Sequence, residues 1–112
     1  MRHEPKAYLF DIQQACEEIL SFTRNMQFEE YASDTLVKAA VERMFMTIGE
    51  ALARLQREES ELLDMIQDWH KIVGFRNVLA HGYDVVDDAT VWSAVTTHVP
   101  RLQADVEKAL DA

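Results

Sequence analysis

Arg76, His81 and Tyr83 place a permanent cation, an imidazole that titrates near neutrality and a phenol within eight residues. Such a set can hold an anionic centre and move protons beside it. Cleavage of RNA asks for those parts: a base for the ribose 2′-hydroxyl proton, an acid for the departing 5′-oxygen, and a cation beside the crowded phosphorane. His81 suits the proton-transfer roles and Arg76 the cationic one. A 2′-hydroxyl nucleophile needs no metal and restricts the reaction to RNA. The chain has no paired histidines at ligand spacing with carboxylates facing them, so neither a metal nor a cofactor is expected. Its three glycines are scattered and form no Walker or Rossmann fingerprint, which argues against an ATP- or NAD-dependent enzyme.

Each residue also has a plainer explanation. A histidine before a glycine, as in His81-Gly82, often closes a helix and complements its dipole. Arg76 could pair with an acidic neighbour on the surface, and Tyr83 could be a core aromatic with a wet hydroxyl. Convergence is a further constraint. Positions five apart on a helix point about 140° away from each other, so Arg76 and His81 cannot share a face of one continuous helix. Either the helix breaks near Gly82, or a second copy of the chain completes the site across a two-fold axis. Lys71 and His70 on the same helix would add positive charge. Glu50 could orient Arg76, or simply pair with Arg54 four residues on. His3, His70 and His98 are isolated and read as surface or boundary residues.

The elements that must carry these groups are helical. Nearly half of the 112 residues are hydrophobic, with only two prolines, and nothing marks a second core, so one all-α domain over residues 1–112 is expected. Tyr8, Leu9, Ile12, Cys16, Ile19, Leu20 and Phe22 recur at helical spacing from Pro5 to about Arg24. A polar, broken passage over 25–34 follows, with Phe28 and Tyr31 on a short turn, and Ser33 or Asp34 as a cap. The longest helix then runs to about Arg57 on a stripe from Leu36 and Val37 to Leu55. Gly49 inside it suggests close passage of another backbone, although avoidance of crowding would suffice. Ile66, Trp69, Ile72, Val73, Phe75, Val78 and Leu79 define a third helix with Gly82 as its C-cap. A last helix from Asp87 or Asp88 to Leu110 should kink or divide at Pro100. The architecture expected is an antiparallel bundle of four to five helices.

The net charge of -9 opposes non-specific nucleic-acid binding, so any RNA contact must be local. Cys16, the only cysteine, excludes an internal disulfide and fits a reducing compartment. With no secretory signal and no bilayer-length apolar run, a cytoplasmic protein without membrane attachment is expected.

The segment Arg76-Asn-Val-Leu-Ala-His81-Gly-Tyr83 resembles the Arg-x4-His-x-Tyr motif of HEPN-domain proteins, and the chain is similar to their HepT toxins. Asp11-Ile12, Ile48-Gly49-Glu50-Ala51, Phe75-Arg76-Asn77, Trp92 and Val99-Pro100-Arg101-Leu102 extend the likeness in order. The resemblance implies a HEPN-like bundle that dimerises so that Arg76 and His81 of both copies line one cleft. It implies a metal-independent endoribonuclease toxin with an RNA substrate such as tRNA, and Asn77 as an orienting residue beside Arg76. Its implied partner is an antitoxin, a nucleotidyltransferase of the MNT class, which silences such toxins by transferring AMP to a tyrosine near the motif. Tyr83 is the tyrosine that fits, whereas the four-residue spacer from Asn77 to Ala80 lacks the tyrosine that some relatives carry there. A non-catalytic binding or dimerisation subunit of a nucleotidyltransferase is the competing reading, and the acidic charge favours it.

Overall fold

The computed structural model describes residues 4–81 and 86–112. Among these described residues six α-helices follow in chain order: α1 (Pro5–Phe22), α2 (Phe28–Ser33), α3 (Thr35–Arg57), α4 (Trp69–His81), α5 (Asp88–Ser93) and α6 (Val99–Leu110). A 3-10 turn (Glu61–Met65) precedes α4, and a π turn (Ala94–His98) joins α5 to α6.

Local chemistry sets these boundaries. Pro5 opens α1, where its missing N–H costs nothing. The Val37 N–H donates to Asp34 Oδ1 at 3.0 Å and caps α3, while the Ala89 N–H donates to Asp87 Oδ1 at the start of α5. Glycine does not make the described turns: Asn25, Glu59 and Asp68 adopt the left-handed conformation instead, with φ between 54° and 63°. The passage over 25–34 contains a true short helix, held at its start by the Gln27 N–H donating to Glu30 Oε1 at 2.8 Å. Pro100 divides the last helix as expected. Its missing N–H and bulky ring interrupt the α ladder, and the wider π turn takes up the mismatch.

The long helices form an antiparallel bundle. α3 packs against α1 and α4, and α1 packs against α6. Leu9, Ile12 and Ile19 of α1, Val41, Ile48, Leu52 and Leu55 of α3, and Val99 and Val106 of α6 are completely or almost completely removed from solvent. The fourth seam, α4 against α6, is not closed by extensive helix packing. Of the apolar set expected on the third helix, Ile66 is buried but precedes α4, Leu79 is the member buried on α4 itself, and Val78 is 44 % exposed. Leu36 also departs from its expected core stripe at 82 % exposure, because it lies in the first turn of α3, before that helix enters the core. Phe22, in the last turn of α1, is likewise exposed.

The start of α4 is tied across the open seam by polar contacts. The Gln67 N–H donates to Oδ2 of the buried Asp105 at 3.0 Å, and Arg101 Nη2 donates to Asp68 Oδ2 at 3.0 Å. Cys16 lies inside the core, where burial foremost, with help from Glu17, pushes its thiol up to about 12 and leaves it unreactive. Among the described residues, no helix is long and apolar enough to cross a membrane, and no group of three or more His, Cys, Asp or Glu is placed to hold a metal ion.

A second cluster forms where α2 and α5 meet α3. Tyr31 is fully buried, with its ring 5.1 Å from that of Trp92, and Lys38 bridges to Asp88 at 3.3 Å. Burial, and then the charge of Asp88, raise the pKa of Glu42, while Lys38 lowers it in part. A carboxyl that holds its proton more tightly folded than unfolded stabilises the fold at low pH and loses that contribution as pH rises through its folded value. Glu42→Gln removes this titration. Its thermal midpoint should exceed that of the parent at pH 7 and match it near pH 4; a lower midpoint at pH 7 contradicts this account.

Candidate active site

Gly49 lies at the contact between α3 and α4. A Cβ built there would overlap Arg76 Cβ, stand 2.6 Å from Arg76 Cγ, and lie 3.6 Å from the Ile72 carbonyl oxygen. The glycine therefore gives the aliphatic stem of Arg76 a seat directly on the α3 backbone. The close neighbour is thus a side chain and not the backbone expected to pass there, the Ile72 carbonyl being at ordinary contact distance, and the contact sets the position of the candidate cation. Arg76 is half-buried, and its Nε is shielded from solvent without a hydrogen-bond partner among the described residues. The shielded Nε is not itself open to an anion, but no ion pair to Arg76 occurs among the described residues, so the guanidinium charge is not neutralised there.

His81 is the last residue of α4 and is exposed. The helix continues unbroken from Arg76 through His81, so the two residues differ by about 140° around the axis and about 7.5 Å along it. The break expected at Gly82, one of the two routes to convergence, lies outside the described residues. Asn77 is exposed beside Arg76 on the next step of the helix. Glu50 pairs with Arg54, Oε1 to Nη2 at 3.6 Å, with both side chains largely in solvent. It takes the plain intrahelical role, and no ion pair between Glu50 and Arg76 is found among the described residues. Tyr83 and Gly82, with their expected acceptor and C-cap roles, lie outside the described residues.

The extra positive charge expected along α4 is only partly available. Lys71 Nζ lies 3.9 Å from Asp68 Oδ1, and the His70 ring stacks on Trp69 with centroids 3.6 Å apart.

A model of HepT-like ribonucleases matches residues 12–109. The chain belongs to that family. It is 34 % identical over 108 residues to a probable ribonuclease HepT of Thermococcus cleftensis, covering 96 % of this chain and 97 % of the relative. It is also 33 % identical over 107 residues to a candidate RNase of Methanocaldococcus jannaschii, covering 96 % and 88 % of the two chains. No solved structure gives a significant match. The match to the HepT-like model contains both Arg76 and His81, and the all-helical bundle agrees with the fold the resemblance implies.

Sequence reasoning set His98 aside as a surface or boundary residue and gave Arg101 no role beyond the family likeness. The structure sets Arg101 Nη2 3.4 Å from His98 Nδ1 and 3.0 Å from Asp68, beside a cleft between α4 and α6. Their spacing of three on a helix was visible, but the approach of Asp68 from 33 positions away had no local signal.

Two glycines of this HepT-like chain provide a paired test. Gly49→Ala should destabilise the protein by about 1–3 kcal/mol despite alanine's better helix propensity, because α4 must move. Gly74→Ala, where a Cβ meets nothing within 4 Å, should be neutral or stabilising by up to about 1 kcal/mol. Denaturant unfolding measures both; equal effects would remove Gly49 as the seat of Arg76.

Proposed function

We propose that this HepT-like protein is a metal-independent endoribonuclease toxin acting as a homodimer, with Arg76 and His81 drawn from both copies around one cleft. The observation that carries the proposal is that α4 is helical from Arg76 through His81: it directs the two groups to different faces, which favours completion of the site by a second copy. Val78, 44 % exposed and three residues before His81, supplies an apolar contact on the α4 surface that would meet the second copy.

In the proposed reaction, one His81 imidazole takes the 2′-hydroxyl proton while O2′ attacks phosphorus. The P–O5′ bond breaks, and a protonated His81 of the other copy delivers a proton to O5′. Arg76 neutralises the non-bridging oxygens as charge builds on them. The products are a 2′,3′-cyclic phosphate and a 5′-hydroxyl. Asn77, next to Arg76, orients the arginine or the phosphate. The RNA class is proposed as tRNA, and the setting as the cytoplasm.

An MNT-class nucleotidyltransferase antitoxin is the proposed partner, with Tyr83 as the AMP acceptor. Adenylylation there would add bulk and a phosphate charge two residues from His81, obstructing RNA and competing for Arg76. The alternative, a non-catalytic subunit, draws support from the net charge of -9.

Purified protein incubated with tRNA in EDTA should produce cyclic-phosphate ends, and Arg76→Ala or His81→Ala should each lower the rate at least about 100-fold. Co-expression of the parent with an excess of His81→Ala should lower cleavage below simple dilution, because a mixed dimer keeps a single His81 and lacks either the base or the acid. Activity that falls only in proportion to dilution would refute the composite site. An inactive parent protein would favour the binding subunit. Light scattering should report twice the chain mass, and Val78→Arg should shift it toward the monomer.

A further inference from the structure

The bundle leaves its α4–α6 seam open, and a cleft of about 460 Å³ occupies it. That volume lies within the range of small-molecule sites, which commonly form between the helices of bundles. Its apolar floor includes Phe45 of α3, Ile72 and Phe75 of α4, and Leu102 of α6. The Phe45 and Phe75 rings meet edge to face at 79°, with centroids 5.2 Å apart. This wall suits a compact aromatic or branched apolar body.

The rim has a different character. Arg101 Nη2 donates to Asp68 Oδ2 at 3.0 Å and reaches His98 Nδ1 at 3.4 Å, while Lys71 Nζ stands 3.9 Å from Asp68 Oδ1. A guanidinium only donates, so its contact with Nδ1 leaves the ring proton of a neutral His98 on Nε2 as a further donor. Two cations share one carboxylate, a local positive surplus on a chain of net charge -9. Lys71 is held loosely, with 83 % of its side chain exposed, and is free to turn to a second anion. The Arg101–Asp68 bridge and the Gln67–Asp105 hydrogen bond join the two sides of the seam and keep its walls apart at a set spacing.

We propose that this cleft binds a small amphipathic anion, with its apolar body against Phe45, Phe75 and Leu102 and its acidic group at Lys71, Arg101 and His98. The cleft is lined by neither Arg76 nor His81, which lie about 7.5 Å and about 15 Å beyond Lys71 along α4. The inference therefore stands whether or not the protein cleaves RNA.

The test uses the full chain and two fluorescent probes, 1-anilinonaphthalene-8-sulfonate and N-phenyl-1-naphthylamine, which lacks the sulfonate. The sulfonate should bind saturably at one site per chain. Lys71→Glu, a change at a solvated position, should weaken the sulfonate at least about tenfold and leave the neutral probe unchanged. Ser93→Trp, which places bulk into the cleft from exposed α5, should abolish binding of both; Ala89→Phe serves if that variant does not fold, with near-UV circular dichroism and melting as the check. Non-saturable sulfonate binding, an equal effect of Lys71→Glu on both probes, or sulfonate binding that survives the filled cleft would overturn the proposal. A cleft-filling variant that lowers the oligomeric mass would overturn it too, assigning the cleft to a second copy of the chain.

Discussion

The contact between Gly49 and Arg76 governs the geometry on which the candidate site depends. A side chain at position 49 would occupy the space of the arginine's Cβ and Cγ, so the separation of α3 and α4 follows from having no side chain there. The same contact supports the stem of Arg76, whose Nε is buried. An arginine supported in this way loses less conformational freedom on meeting a phosphate than one waving in solvent. A glycine that weakens the interior of α3 by roughly 1 kcal/mol in helix propensity thereby contributes to the position of a charged group on another helix.

The open seam is the second consequence of how α4 is mounted. Its helix packing rests mainly on α3, while polar contacts from Asp68 and Gln67 to α6 secure its beginning. The core formed by α1, α3 and α6 supplies most of the fully buried apolar surface, so α4 carries less of the burden of stability. Its outer surface is therefore available for recognition, with His81 and Val78 on one side and the cleft on another. Elements used for function commonly come from such lightly packed parts of a structure.

Charge is organised locally in a way that the total hides. Three of the chain's few cations, Lys38, Lys71 and Arg101, are held by Asp88 or Asp68, and Arg54 is held by Glu50. Arg76 forms no such pair among the described residues, so its charge is not spent on a carboxylate. On an acidic surface this distinction matters more than the sum, because a phosphate responds to the nearby cation within a screening length of roughly 8–10 Å.

Much of the architecture was legible in the chain. The 3.6-residue recurrence of Leu9, Ile12, Ile19, Ile48, Leu52 and Leu55 reports the apolar stripes, Asp34 and Asp87 announce helix starts through their capping oxygens, and Pro100 announces the division of the last helix. Helix periodicity likewise determined that Arg76 and His81 diverge, since that depends on step angle alone. Tertiary structure decided what depends on a neighbour: that Gly49 faces Arg76, that Glu50 turns to Arg54, that Val78 remains in solvent, and that Asp68 meets Arg101 across 33 positions. Periodicity assigns a face to every residue of a helix, but only the packed bundle determines which faces are covered.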